Sequence, residues 1–261
     1  MEVKKLSDAM KVKKPVTALL YCAPGVGKST ALGIIAEQSK GRTLVLDTDR
    51  TFINAMAKME VVRDLSKIDV VEVDNINTFD SWTNLLVELD EMYKSNKLDY
   101  ENICVDNISE LERCILSDLG AKGKNKGVPA QGDYQYMQFK LVNSLRFMKN
   151  WGKNIYWTAW ETTEQFQNPD GSSYSRQFPK INAKIVDNIC GLCDIVAKIA
   201  VAKDGRRGFI LEATQNVYAK NQVDSRKGCP VDSFISGEEY ERKPEQDEKQ
   251  AKEKKQKQED K

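Results

Sequence analysis

The sequence predicts an α/β fold: a mostly parallel sheet flanked by helices, with antiparallel strands at one edge. Three observations point to it. Apolar strand-like runs alternate with segments of helical period through residue 160. A glycine-rich stretch, "YCAPGVGKST" (Tyr21–Thr30), joins one such run to one such helix. Two further apolar runs meet at Asp204-Gly205, a strong hairpin signal.

The elements follow in order. "VTALLYCA" (Val16–Ala23) is an apolar run that ends at the glycine-rich loop and reads as a buried strand. "STALGIIAEQS" (Ser29–Ser39) has helical spacing and stops before Gly41. "RTLVLDTD" (Arg42–Asp49) is a second strand, ending in carboxylates, and "VVEV" (Val70–Val73) a short third. Phe79–Ser95 and Met137–Trp151 are amphipathic helices. "YENICVDN" (Tyr100–Asn107) and "NIYWTAW" (Asn154–Trp160) are strands, and "CDIVAKIAVA" and "RGFILEAT" form the hairpin. Two polar stretches, Gly120–Tyr136 and Glu161–Lys184, read as long loops, which are uncommon in a compact domain unless they act.

The 261 residues, 40% hydrophobic and 30% charged, suffice for one sizeable domain, placed at 15–237. Residues 1–14 form a polar lead-in, and 238–261 a charge-mixed tail that cannot bury a core. The net charge of +1 argues neither for nor against nucleic acid, so any basic surface must be local. The six cysteines fit reduced thiols, and Cys190 and Cys193 ("CGLC") lack the further ligands a zinc site needs. The sequence has no histidine, which removes Ser-His and His-metal chemistry. No apolar run is long enough to span a membrane, so a cytoplasmic location is expected.

The glycine-rich stretch fits the phosphate-loop pattern G-x-x-x-x-G-K-[ST], except that Cys22 stands for the first glycine. Pro24 and Gly25 shape the turn, and Gly25, Val26 and Gly27 offer backbone N–H groups. Lys28 supplies the flexible cation, Ser29 a hydroxyl for Mg²⁺, and Thr30 continues the helix N-terminus that favours anionic phosphate. Asp106 closes an apolar strand, as a carboxylate beside that Mg²⁺ must. ATP with Mg²⁺ is the expected ligand.

The order of these parts resembles the RecA-like core ATPases, and most of all the phage nucleotide-binding proteins linked to single-strand annealing and recombination. The pieces that carry the resemblance are "APGVGKST", "LVLDTD", "ICVDNISELE", "IYWTAWET" and "RRGFILEAT", between about Val16 and Lys220. It implies a RecA-like P-loop fold and an ATP hydrolase stimulated by single-stranded DNA. A homo-oligomer, ring or filament, is implied, with a single-strand-binding protein as a further candidate partner. A phage origin would place the protein in the host-cell cytoplasm. The resemblance puts Asp49, with Asp47 just inside it, where a carboxylate polarises the attacking water; relatives usually carry Glu there, so slow turnover is expected. Thr158 and Glu161 fall where a γ-phosphate sensor sits, with a second water-positioning carboxylate as the alternative catalytic role for Glu161. The two long loops fall where recombinases hold DNA. Their cations and rings suit a single strand: Lys122, Lys124, Lys126, Tyr134 and Tyr136 in one, and Phe166, Tyr174, Arg176, Phe178, Lys180 and Lys184 in the other. Arg206, Arg207 and Lys220 are candidate cations that reach a neighbouring subunit's nucleotide.

Three other readings stand beside this one. A small-molecule P-loop kinase would need an acceptor pocket and an arginine-bearing lid, for which Arg176 is a candidate. An AAA-type remodelling ATPase usually has Glu after the strand-end Asp, where this chain has Asn107, and a helical lid for which residues beyond 220 leave little room. A nucleotide-dependent interaction protein would bind ATP and barely turn it over.

Overall fold

The parallel sheet is built from β1 (Thr17–Cys22), β2 (Thr43–Asp47), β3 (Ile68–Glu72), β4 (Asn102–Asp106), β5 (Asn154–Gln167) and β7 (Ile195–Val201) of this computed structural model. β6 (Ser173–Pro179), β8 (Arg207–Ile210), β9 (Lys220–Asn221) and β10 (Gly228–Pro230) complete it. The structure describes residues 5–9, 14–58, 62 and 64–235. The charged tail 238–261 and much of the lead-in lie outside these.

The strand order is β10-β8-β7-β1-β5-β4-β2-β3, with β6 paired to β5 and β9 to β7. The run from β7 to β3 is parallel, and β8 and β10 add the antiparallel edge. The β7–β8 turn closes as expected, with Gly205 at φ 83° and Ala202 N–H donating to Arg206 C=O at 2.8 Å. β1, β2 and β4 are buried along their whole length, as strands covered on both faces must be.

Among the described residues seven helices pack on the sheet or beside it: α1 (Leu6–Ala9), α2 (Lys28–Gln38), α3 (Phe52–Ala57), α4 (Thr78–Lys94), α5 (Ile108–Lys122), α6 (Gln131–Lys149) and α7 (Val186–Leu192). Alternate strand residues divide the core in two. Leu19, Tyr21, Ile103, Val105, Trp157 and Val196 face α4–α7. Leu20, Cys22, Val45, Cys104, Tyr156 and Ala197 face α2 and α3. Gly33 lets the second layer close: a Cβ there would lie 2.8 Å from the sulfur of Met56.

Two expectations are corrected. Gly120–Tyr136 is not one long loop, because α5 runs through Lys122 and α6 begins at Gln131. α5 is capped by Asn107, whose side-chain oxygen accepts from Glu110 N–H at 2.9 Å. Glu161–Lys184 contains a β-hairpin, since β5 runs on to Gln167 and pairs with β6 from Glu161↔Pro179 to Gln167↔Ser173. Its tip is the turn Asn168-Pro169-Asp170-Gly171, with Gly171 at φ 84°.

All six cysteines are free and buried, and burial raises each thiol above its ordinary pKa. Trp82, Trp151 and Trp157 are fully buried packing residues. No helix among the described residues is long and apolar enough to cross a membrane.

Candidate nucleotide site

The sheet register assembles the site. β5 lies between β1 and β4, so Thr158 stands between the phosphate loop and Asp106. Asp47 and Asp106 are direct partners across β2 and β4. Thr158 is next in register after Val105↔Trp157. Asp47 and Asp106 end their strands and Thr158 lies level with them within β5, all on the face that carries α2.

The loop turns as its glycines allow. Gly25 has φ 79° and Gly27 φ 122°, conformations that strain any other residue. Gly27 is the N-cap of α2 and brings no side-chain oxygen, so the first N–H groups of the helix remain for an anion. Lys28 is buried, and Cys22 takes the first-glycine position without breaking the turn because its thiol points into the core.

Asp106 is the hub. Ser29 Oγ donates to one of its oxygens at 2.6 Å and Thr158 Oγ1 to the other at 2.5 Å. Burial raises its pKa, while the two hydroxyl bonds work against the rise. Behind it, Thr48 braces the turn: its N–H donates to Asp106 C=O at 2.8 Å and its hydroxyl to Asn107 C=O at 2.7 Å. The Asp106–Asn107 peptide is cis.

Asp49 lies at the mouth. One oxygen accepts from Thr51 Oγ1 at 2.5 Å, the other from Asn107 Nδ2 at 2.7 Å. Asp47 serves α3 instead. It is buried and accepts from Phe52 N–H at 2.9 Å at the start of that helix. Among the described residues its second oxygen has no hydrogen-bond partner, and burial pushes its pKa up to about 6. Pro24, Gly25, Gly27, Lys28, Ser29 and Thr30 line a cavity of about 360 Å³ together with Asp49, Thr51, Ala55, Trp160 and Arg207.

The donor set fits Mg²⁺. Ser29 and Asp106 offer hard oxygens in contact at the mouth of a helix N-terminus, and Mg²⁺ in phosphate sites takes one or two carboxylates plus phosphate oxygens. Among the described residues no group of three His, Cys, Asp or Glu is placed to hold a metal without such help.

Glu161 falls elsewhere. It follows Trp157 and Ala159 on the opposite face of the sheet and pairs with Lys198 at 3.1 Å. Lys198 also donates to the side chain of Gln177 on β6. Thr158, not Glu161, is therefore the sensor candidate that touches the site.

The other sequence candidates scatter. Arg206 pairs with Asp204 at 2.6 Å within its own turn, whereas Arg207 Nε donates to Val26 C=O at 2.7 Å on the phosphate loop. Lys220 donates to the carbonyls of Cys190, Gly191 and Cys193, closing the end of α7. Lys122 is held by Asp80 at 2.8 Å and Asp118 at 3.0 Å, so it is not a free cation. Lys124 and Lys126 are exposed between α5 and α6, and Tyr134 and Tyr136 are exposed on α6. On the hairpin the rings pack on each other. Phe166 stacks on Tyr174 at 5.4 Å and Phe178 on Tyr218 at 5.1 Å, and Arg176 lies over both Phe178 and Tyr218. Lys180 is exposed and lies 5.8 Å from the centre of the Trp160 ring. Arg113 lies over the same ring at 5.2 Å; sequence reasoning missed it, since it carries no motif.

The two polar stretches do meet. Gln138 Nε2 on α6 donates to Asn182 Oδ1 at 3.3 Å, and Tyr134 and Lys184 line the cleft between them.

The phosphate loop, the strand-end Asp106 and the inserted strand β5 define a P-loop nucleotide-binding domain of the ATPase class. A sequence family described as "AAA domain" matches residues 14–223, most of the chain, and the protein belongs to that family. No curated protein compared with the chain matches it. The described residues after α7 form strands and one short 3-10 turn, Val231–Ser233, with no helical lid.

Proposed function

We propose that the protein is a Mg²⁺-ATP hydrolase that grips single-stranded DNA and acts in recombination or annealing of the phage type. Continuity along β5 carries this reading. One strand holds Thr158 on Asp106, forms the cavity wall with Trp160, and then runs out into the hairpin. A change at the nucleotide is thus one strand away from Lys180 and from the cleft shared with α6. Coupling of this kind requires that nucleotide and DNA favour the same state.

Within the site, Gly25–Gly27 and the start of α2 bind phosphate, and Lys28 neutralises it. Ser29 and Asp106 would hold Mg²⁺, which supplies charge neutralisation at the phosphate oxygens. Asp49 is oriented by Asn107 to accept a proton from water. The kinase reading loses its lid arginine, because Arg176 is packed on Phe178 and Tyr218. The nucleotide-switch reading keeps one supporting observation: Asp49 is shorter than Glu and is already engaged by Thr51.

The test is ATP hydrolysis with and without single-stranded DNA, with Lys28→Ala as control. Stimulation that vanishes in the variant is the expected result. Tight ATP binding with no turnover under either condition would favour the switch.

A further inference from the structure

We infer that Arg207 acts in cis, as a clamp on the polyphosphate of the nucleotide seated on its own loop, rather than on a neighbouring subunit's nucleotide. The inference rests on the nucleotide-site reading and assigns that site a second cation.

The topology delivers the side chain. Arg207 is the first residue of β8, and β8 is separated from β1 only by β7. Its partner in the hairpin is Val201, the last residue of β7. Arg207 therefore starts at the same edge of the sheet as the phosphate loop and has one strand to cross. It does cross: Nε donates to Val26 C=O at 2.7 Å. Arg206, its neighbour, turns back to Asp204 instead.

The contact is close enough to constrain the loop. A Cβ on Gly27 would lie 2.9 Å from Arg207 Nε and 3.2 Å from its Cδ. Glycine at this position therefore has two reasons: φ of 122°, and the arginine stem passing over it. Arg207 also forms part of the cavity wall with Lys28, Ser29 and Asp49.

The chemistry suits a polyphosphate. A guanidinium anchored through Nε keeps its two terminal nitrogens for another acceptor, and their planar fork matches two phosphate oxygens. The carbonyl of Val26 fixes the guanidinium at the rim of the cradle before ligand arrives, which lowers the ordering cost on binding. No carboxylate among the described residues forms an ion pair with Arg207, so its charge is not neutralised there.

The test is equilibrium binding of fluorescent ATP, ADP and AMP to the full chain, wild type against Arg207→Ala and Arg207→Lys, with Lys28→Ala as reference. Arg207 is exposed, so folding should survive, and the thermal midpoint checks this. The expected result is ATP affinity at least ~10-fold weaker in Arg207→Ala, with a smaller loss for ADP and none for AMP. Arg207→Lys should recover only part, because it keeps charge without the fork. The loss should persist at the lowest protein concentration, and mixing Arg207→Ala with Lys28→Ala should not restore binding. Unchanged ATP affinity in Arg207→Ala, with Lys28→Ala inactive, would overturn the inference and leave the nucleotide site standing. Restoration on mixing would place the arginine in trans and overturn it too. Normal ATP binding by Lys28→Ala would instead remove the nucleotide site itself.

Discussion

The side-chain amide of Asn107 donates to the carboxylate of Asp49 at 2.7 Å, tying the end of β4 to the end of β2. The same residue caps α5 through its oxygen. Asn107 thus positions the water-activating candidate and anchors a helix with one side chain. Asp49→Asn is expected to lower turnover by about 10²-fold while ATP affinity stays within a few-fold. Asn107→Ala should lower turnover as well and also cost about 1 kcal/mol of stability through the lost cap. Turnover assays beside thermal melts separate the two effects; full turnover in Asp49→Asn would remove it from the chemistry.

Glu161 and Lys198 form a pair in which both side chains are mostly buried, 15% and 13% exposed, on the face of the sheet away from α2. Glu161→Gln leaves the ammonium without its counter-charge but with its bond to Gln177, at a cost of about 2 kcal/mol. For a domain of this size that is a fall in Tm of roughly 4–8 °C. Turnover measured well below the melt should change little. A large loss of turnover with an unchanged melt would mean that Glu161 faces the nucleotide after all.

Asp47 gives a pH signature. Burial raises its carboxyl from the ordinary 3.8 to about 6. The folded state then holds a proton between those values that the unfolded chain has already released. Stability is therefore highest below about pH 4 with respect to this group, and declines as pH rises toward 6. Asp47→Asn keeps an acceptor for Phe52 N–H and removes the buried charge. It should raise Tm at pH 7.5 by more than at pH 4, with a limiting gain of about 3 kcal/mol. An equal effect at both pH values would show that Asp47 is not titrating.

The cations at the end of α5 and in the turn to α6 divide into two kinds. Lys122 bridges Asp80 on α4 and Asp118 on α5, whereas Lys124 and Lys126 are exposed. If this segment grips a single strand, Lys124→Ala and Lys126→Ala should each reduce the slope of log affinity against log salt by roughly 0.7. Lys122→Ala should leave that slope alone and loosen the α4–α5 junction. Fluorescence-anisotropy titrations at several salt concentrations decide this, and an unchanged slope in the Lys124/Lys126 double variant would clear the segment of a DNA role.

What is legible in the sequence is local. "VTALLYCAPGVGKST" spells strand, loop and helix within one short window, and "ICVDN" shows a buried strand ending in a carboxylate. The β5–β6 hairpin escapes such a reading because its residues beyond Trp160 are mostly exposed or half-buried. Its strands alternate between solvent and a small ring cluster, so their overall polarity reads as loop, although Asn168-Pro169-Asp170-Gly171 marks the turn. The reach of α5 and the early start of α6 are hidden by glycines at 120, 123 and 132. Gly120 and Gly132 lie inside the helices, whereas Gly123, the C-cap of α5, and Gly127 lie between them. The contacts that assemble the site are beyond any local pattern. Ser29 and Asp106 are 77 positions apart, and Arg207 and Val26 are 181 apart. Their meeting depends on strand order, which spacing along the chain does not reveal.

The fold keeps all six thiols inside. Thiol reagents therefore find no ready target in the folded chain, and native cysteines need not be removed before labelling. One cysteine placed at Lys124 or at the tip of the hairpin would take a single fluorophore, and its emission could then report on those segments as nucleotide or DNA is added.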